Sequence, residues 1–156
     1  MRVLKKLVFP MAMVVTMSWA HAVDRGVVIE SPWIREAPPT AKALAGYMKI
    51  RNHSSQKTLV SAESDDFQSV MLHQTVTKDG MAMMIHRQRI ELPKGVELIF
   101  EPGGYHLMLL RPKRPLRLGD QVAIDLVFSD GTRQTVEFTV SRSDGNSEGH
   151  APSGHR

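Results

Sequence analysis

From Gln121 to Val140 the chain alternates in character. Val122, Ile124, Leu126 and Phe128 occupy every second position, Asp130-Gly131 interrupts, and Val136, Phe138 and Val140 resume the alternation. A period of two gathers one set of side chains on each face of a strand, and an Asp-Gly between two such runs predicts an antiparallel hairpin. Shorter runs over residues 26–30, 45–51, 57–62, 68–73, 81–90, 96–100 and 105–110 carry the same signal. Pro38-Pro39, Asn52-His53, Asp79-Gly80, Pro93 and Gly103-Gly104 punctuate them. No segment reads as a long amphipathic helix, and no internal repeat is present. Nine short strands predict an all-β, antiparallel sandwich or barrel, and 156 residues suit a single domain with its own core.

The two ends of the chain break the pattern. Residues 1–22, MRVLKKLVFPMAMVVTMSWAHA, join a basic start (Arg2, Lys5, Lys6) to an apolar run and finish in Ala20-His21-Ala22. That is the layout of a secretory signal peptide, with a run too short to span a bilayer. The mature domain is expected over residues 23–141, exported to the periplasm and without a membrane span. Residues 142–156 close the chain as a polar, Gly- and Ser-rich tail containing His150 and His155. It offers no apolar face to bury and reads as disordered.

Charge and cysteine content narrow the function classes. Three of the 20 Lys and Arg lie in the signal and none of the 16 Asp and Glu do, which leaves 17 against 16. A nearly neutral mature chain gives no support to nucleic-acid binding. The chain has no cysteine. Any soft-metal site must then be built from thioether and imidazole.

Such donors are present in a pattern. Met71 with His73, Met84 with His86, and His106 with Met108 are three pairs at i and i+2, each on one face of its own strand or strand end. After the signal only six histidines and six methionines remain, and Met81, Met83 and Met84 crowd one segment. A mixed His and Met set without carboxylates favours copper, and Cu(I) in particular, over zinc, calcium or magnesium. His53 reads as an exposed turn residue. Met81, Met83 and Met71 read first as adaptable packing or a soft rim.

The spacing of these donors resembles the signature of the periplasmic copper chaperones of the PCuA(C) family, H-(M)-x10-M-x21-H-x-M. Ten residues separate His73 from Met84, twenty-one separate Met84 from His106, and Leu107 separates His106 from Met108. The stretches SPWIREAPP (31–39), AGYMKIRN (45–52), PGGYHLMLL (102–110) and KRPLRLGDQV (113–122) are also similar to the family, so the resemblance runs from about Val27 to Val140. It implies a cupredoxin-like fold in which His73, Met84, His106 and Met108 bind one Cu(I) near the surface. It further implies delivery to the copper centre of a cytochrome c oxidase subunit, alongside a Sco-type protein. A monomer is expected. His86 is left beside Met84 as a substitute or supporting group. The tail histidines are candidates for Cu(II) uptake.

The function classes then separate. A non-enzymatic carrier of copper fits neutral, exchangeable ligands and the lack of a nucleophile beside a base. A sequestration or resistance protein would use the same ligands. A structural sandwich with packed Met and His predicts no stoichiometric copper uptake. A copper oxidase fits least, because four protein ligands leave no open position for substrate.

Overall fold

The computed structural model describes residues 26–142. Ten strands follow one another: β1 Val27–Arg35, β2 Ala43–Asn52, β3 Lys57–Glu63, β4 Phe67–Lys78, β5 Met81–His86, β6 Ile90–Leu92, β7 Glu97–Phe100, β8 Tyr105–Pro112, β9 Gln121–Phe128 and β10 Arg133–Ser141. Among the described residues every regular element is a strand. The signal-peptide reading of residues 1–22 and the tail histidines His150 and His155 lie outside the described residues.

The strands close on themselves. Neighbours run β4–β8–β7–β2–β1–β10–β9–β3, and β3 returns to β4 through the Ala62–Val70 pair. The result is an eight-strand barrel, with β8 also pairing directly with β2, while β5 extends the sheet beyond β4 and β6 extends it beyond β3. Closure removes most strand edges. Pairing is antiparallel except at β1–β10 and β7–β8, which are parallel.

Alternation sets the core. Ile34, Ile50, Leu59, Leu107, Ile124 and Phe138 are fully buried inside the barrel, each flanked in sequence by more exposed residues. The hairpin of β9 and β10 pairs Phe138 with Val122 and Val136 with Ile124, and Gly131 takes a positive φ of 83° in its turn.

Two strands differ from the sequence expectation. The run over 81–90 is two strands: the Arg87 N–H donates to the Leu72 carbonyl, after which the chain leaves β4 and Ile90 pairs with Leu59 of β3. β1 continues past residue 30 through Pro32 by means of a register shift between Glu30 and Trp33, with Ser31 at φ 48°. A bulge of this kind admits a proline, which has no N–H for the ladder. The second half of β1 then pairs with β10 as well as β2.

Asn52, at the end of β2, ties this frame to β6. Its buried amide donates to the carbonyls of Leu92 (2.7 Å) and Ser55 (2.8 Å) and accepts from the Ser54 N–H (3.0 Å). Asn52→Ala leaves the Leu92 carbonyl without that donor, and is expected to cost about 1–3 kcal/mol in urea unfolding of the apo protein.

Candidate metal centre

The soft donors lie on three adjacent strands, β5, β4 and β8. Leu72, Leu107 and Leu109 point into the barrel and are buried, so alternation turns His73, His106 and Met108 to its outer face. Register then fixes the rows. His86 of β5 lies directly opposite His73 of β4, and His73 lies opposite His106 of β8. One row over, Met71 lies opposite Met108, and Met108 opposite Ala45 of β2. Met84 faces Thr75, which places it diagonally from His73 rather than across from it. A diagonal neighbour remains within reach of a long side chain.

The hairpin that carries Met84 turns through Asp79 and Gly80, both at positive φ (51° and 76°), a geometry that suits the right-handed twist of two paired strands. β5 forms an outer edge and all six of its residues are exposed, Met81 at 67% and Met84 at 58%. Met81 and Met83 are therefore a soft surface and not core filler. His53 is exposed, as its place in a polar turn predicts.

Two of the imidazoles are unusual in opposite ways. The His106 ring is buried and its Nδ1 lies 3.2 Å from the Gly104 carbonyl, which leaves Nε2 as the nitrogen available to a ligand. Both ring nitrogens of His73 are buried without a hydrogen-bond partner. Burial first, and then the nearby His106 and His86, holds the His73 imidazole below its ordinary pKa. This favours its neutral form, which keeps a lone pair for an ion. The His73 ring meets His106 at 5.7 Å and His86 at 5.5 Å between centroids, edge to face in both cases.

Met84, His106 and Met108 share the wall of a pocket of about 310 Å³. Ala43 and Ala45 leave room in it, and Tyr47, packed against Trp33 with ring centroids 4.8 Å apart and planes tilted by 40°, closes one side. Arg35, Glu36 and Ala37 form the remaining wall, and Arg142 pairs with the Glu36 carboxylate at 3.0 Å. This wall carries no donor spacing and was not legible in the sequence. Its contribution comes from the bulge that lets β1 run on past residue 30. Among the described residues no three His, Cys, Asp or Glu side chains are placed to hold one ion.

Comparisons with known proteins agree with this architecture. The model of the LpqE-like family, described as "Putative lipoprotein LpqE-like", matches residues 27–140. The "Putative lipoprotein Lxx21020" of Leifsonia xyli subsp. xyli is 33% identical over 126 residues, which cover 80% of this chain and 75% of that protein. The uncharacterized protein RP573 of Rickettsia prowazekii is 34% identical over 95 residues, and there the chain spans about half of the relative, 51%. Among solved structures, Cu(I)-DR1885 from Deinococcus radiodurans superimposes with a TM-score of 0.62 at 32% identity, over 74% of this chain and 78% of that one. The copper-bound PCuAC domain of PmoF2 gives a TM-score of 0.64 at 24% identity, over 76% and 94%, a likeness of fold. The chain thus belongs to the LpqE-like family and has the all-β, cupredoxin-like fold of the PCuAC domains.

Proposed function

We propose that this protein carries copper outside the cytoplasm, holding one Cu(I) through His73, Met84, His106 and Met108. One observation carries the reading. The two ring nitrogens of His73 are buried and unpartnered, on a barrel face otherwise furnished with His106 and methionine sulfur. A buried polar group without a partner costs stability, and a soft cation bound there would repay it. Similarity to Cu(I)-DR1885 supports copper as the cargo, and the lipoprotein wording of the family supports a place in the cell envelope, which we assign to the periplasm.

Neutral ligands suit transfer. Cu(I) held by two imidazoles and two thioethers carries a single net charge and can exchange one neutral donor at a time with an acceptor. The exposed Met84 offers the point at which an incoming ligand would begin. The acceptor we infer is the copper domain of a cytochrome c oxidase subunit, with a Sco-type protein alongside.

Titration of the protein with Cu(I) against bicinchoninate should give one tight equivalent. Zinc should compete poorly, because it prefers thiolate, imidazole or carboxylate. X-ray absorption should show sulfur and nitrogen neighbours, and a first shell of nitrogen and oxygen alone would overturn the ligand assignment. Loss of the bound Cu(I) to an apo oxidase copper domain distinguishes a carrier from a sequestering protein, which would retain it.

A further inference from the structure

His73 has soft donors on two flanks, and the four-ligand reading uses only one. Its row continues in both directions, to His106 at 5.7 Å and to His86 at 5.5 Å between ring centroids, with interplanar angles of 71° and 74°. A metal–nitrogen bond of about 2 Å places the centroids of two imidazoles on one ion roughly 5–6 Å apart. Both spacings fit. The three histidines are nevertheless not placed to hold one ion together. An ion on His73 takes one neighbouring imidazole or the other.

Each flank opens on its own cavity. Met84, His106 and Met108 line the pocket already described, while Met71 and His86 line a separate one of about 390 Å³, in the notch between the end of β5 and β3. Met71 stands on the same face as His73, two residues before it. Arg87 also borders the notch, but both of its bonds from Nε and Nη2 go to the Gln74 Oε1 (3.0 and 2.6 Å), on the opposite face of β4 from His73. Its charge is directed away from the donors.

The geometry points to His73 as the shared ligand of two alternative Cu(I) positions: one completed by Met84, His106 and Met108, the other by His86 and Met71. The second position is an exit and entry station, since His86 is exposed at the edge of the sheet. In the move between them the copper–His106 bond breaks as a copper–His86 bond forms. The copper–sulfur bonds to Met84 and Met108 give way to one to Met71, so copper passes from four ligands to three and remains Cu(I) with neutral ligands throughout. This rests on the reading of the protein as a Cu(I) carrier.

The test uses Cu(I) supplied as its bicinchoninate complex and begins with the wild-type protein, whose failure to bind would overturn the carrier reading itself. In Met84→Leu/Met108→Leu, a volume-conserving pair, one weaker Cu(I) should remain, with one sulfur in its X-ray absorption shell. Adding Met71→Leu and His86→Thr should weaken that residual binding by a further tenfold or more. Residual affinity that is absent, or indifferent to Met71 and His86, would overturn the second position. A single exposed substitution gives an independent arm in an otherwise intact protein: His86→Thr should slow release of Cu(I) to bicinchoninate about fivefold, and an unchanged rate would count against the station.

Discussion

His73→Leu is expected to reduce Cu(I) affinity at least about 100-fold and, in the same protein, to leave the apo fold as stable as before or more stable by about 1 kcal/mol. The two effects have one origin. Removing a supporting group beside a metal ligand costs 10- to 100-fold in affinity, so removing a ligand costs no less. Yet the His73 nitrogens are buried with no hydrogen-bond partner, and replacing an unsatisfied polar group by an apolar one removes its desolvation penalty. Most buried polar groups are paired, so an orphan is evidence of a task other than packing. Chemical unfolding of the apo protein and chelator competition for Cu(I) check the two halves separately. A large loss of apo stability would show that His73 is a structural histidine.

What the sequence made legible follows from which interactions are local. The hairpin of β9 and β10 could be read because its alternation and its Asp130-Gly131 turn lie within one stretch of 20 residues. The i and i+2 pairs could be read for the same reason, since sharing a face needs only a strand. Register could not. That His86, and not Met84, lies opposite His73 depends on the positions at which β4 and β5 pair, and a slip of one residue would turn the whole set to the other face. The break after His86 was equally hidden, because it is made by Ile90 pairing with Leu59, thirty-one positions earlier in the chain. The Arg35–Ala37 wall arises from a bulge around Pro32, where a proline in a strand is the opposite of a local strand signal.

Leu126→Ala should behave as the mirror image of His73→Leu, costing about 2–5 kcal/mol of stability with Cu(I) affinity retained. Leu126 is fully buried on β9, between Ala62 of β3 and Gln134 of β10, inside the barrel and away from the outer face that bears the donors. Truncation there removes transfer free energy and leaves a cavity in a wall held by strands on both sides. Against a total of roughly 5–15 kcal/mol for a domain this is a large fraction, and the apo variant should unfold at visibly lower urea concentration. Met108→Ala, on the half-buried outer face, loses less packing on truncation and should cost clearly less than Leu126→Ala. Equal losses in the two variants would mean that Met108 is core filler. Linkage supplies the closing check. Free Cu(I) buffered at 100 times its dissociation constant should restore about 2.7 kcal/mol to Leu126→Ala, because the ion binds the folded barrel and not the unfolded chain. The same copper concentration should leave the melting temperature of His73→Leu almost where it was.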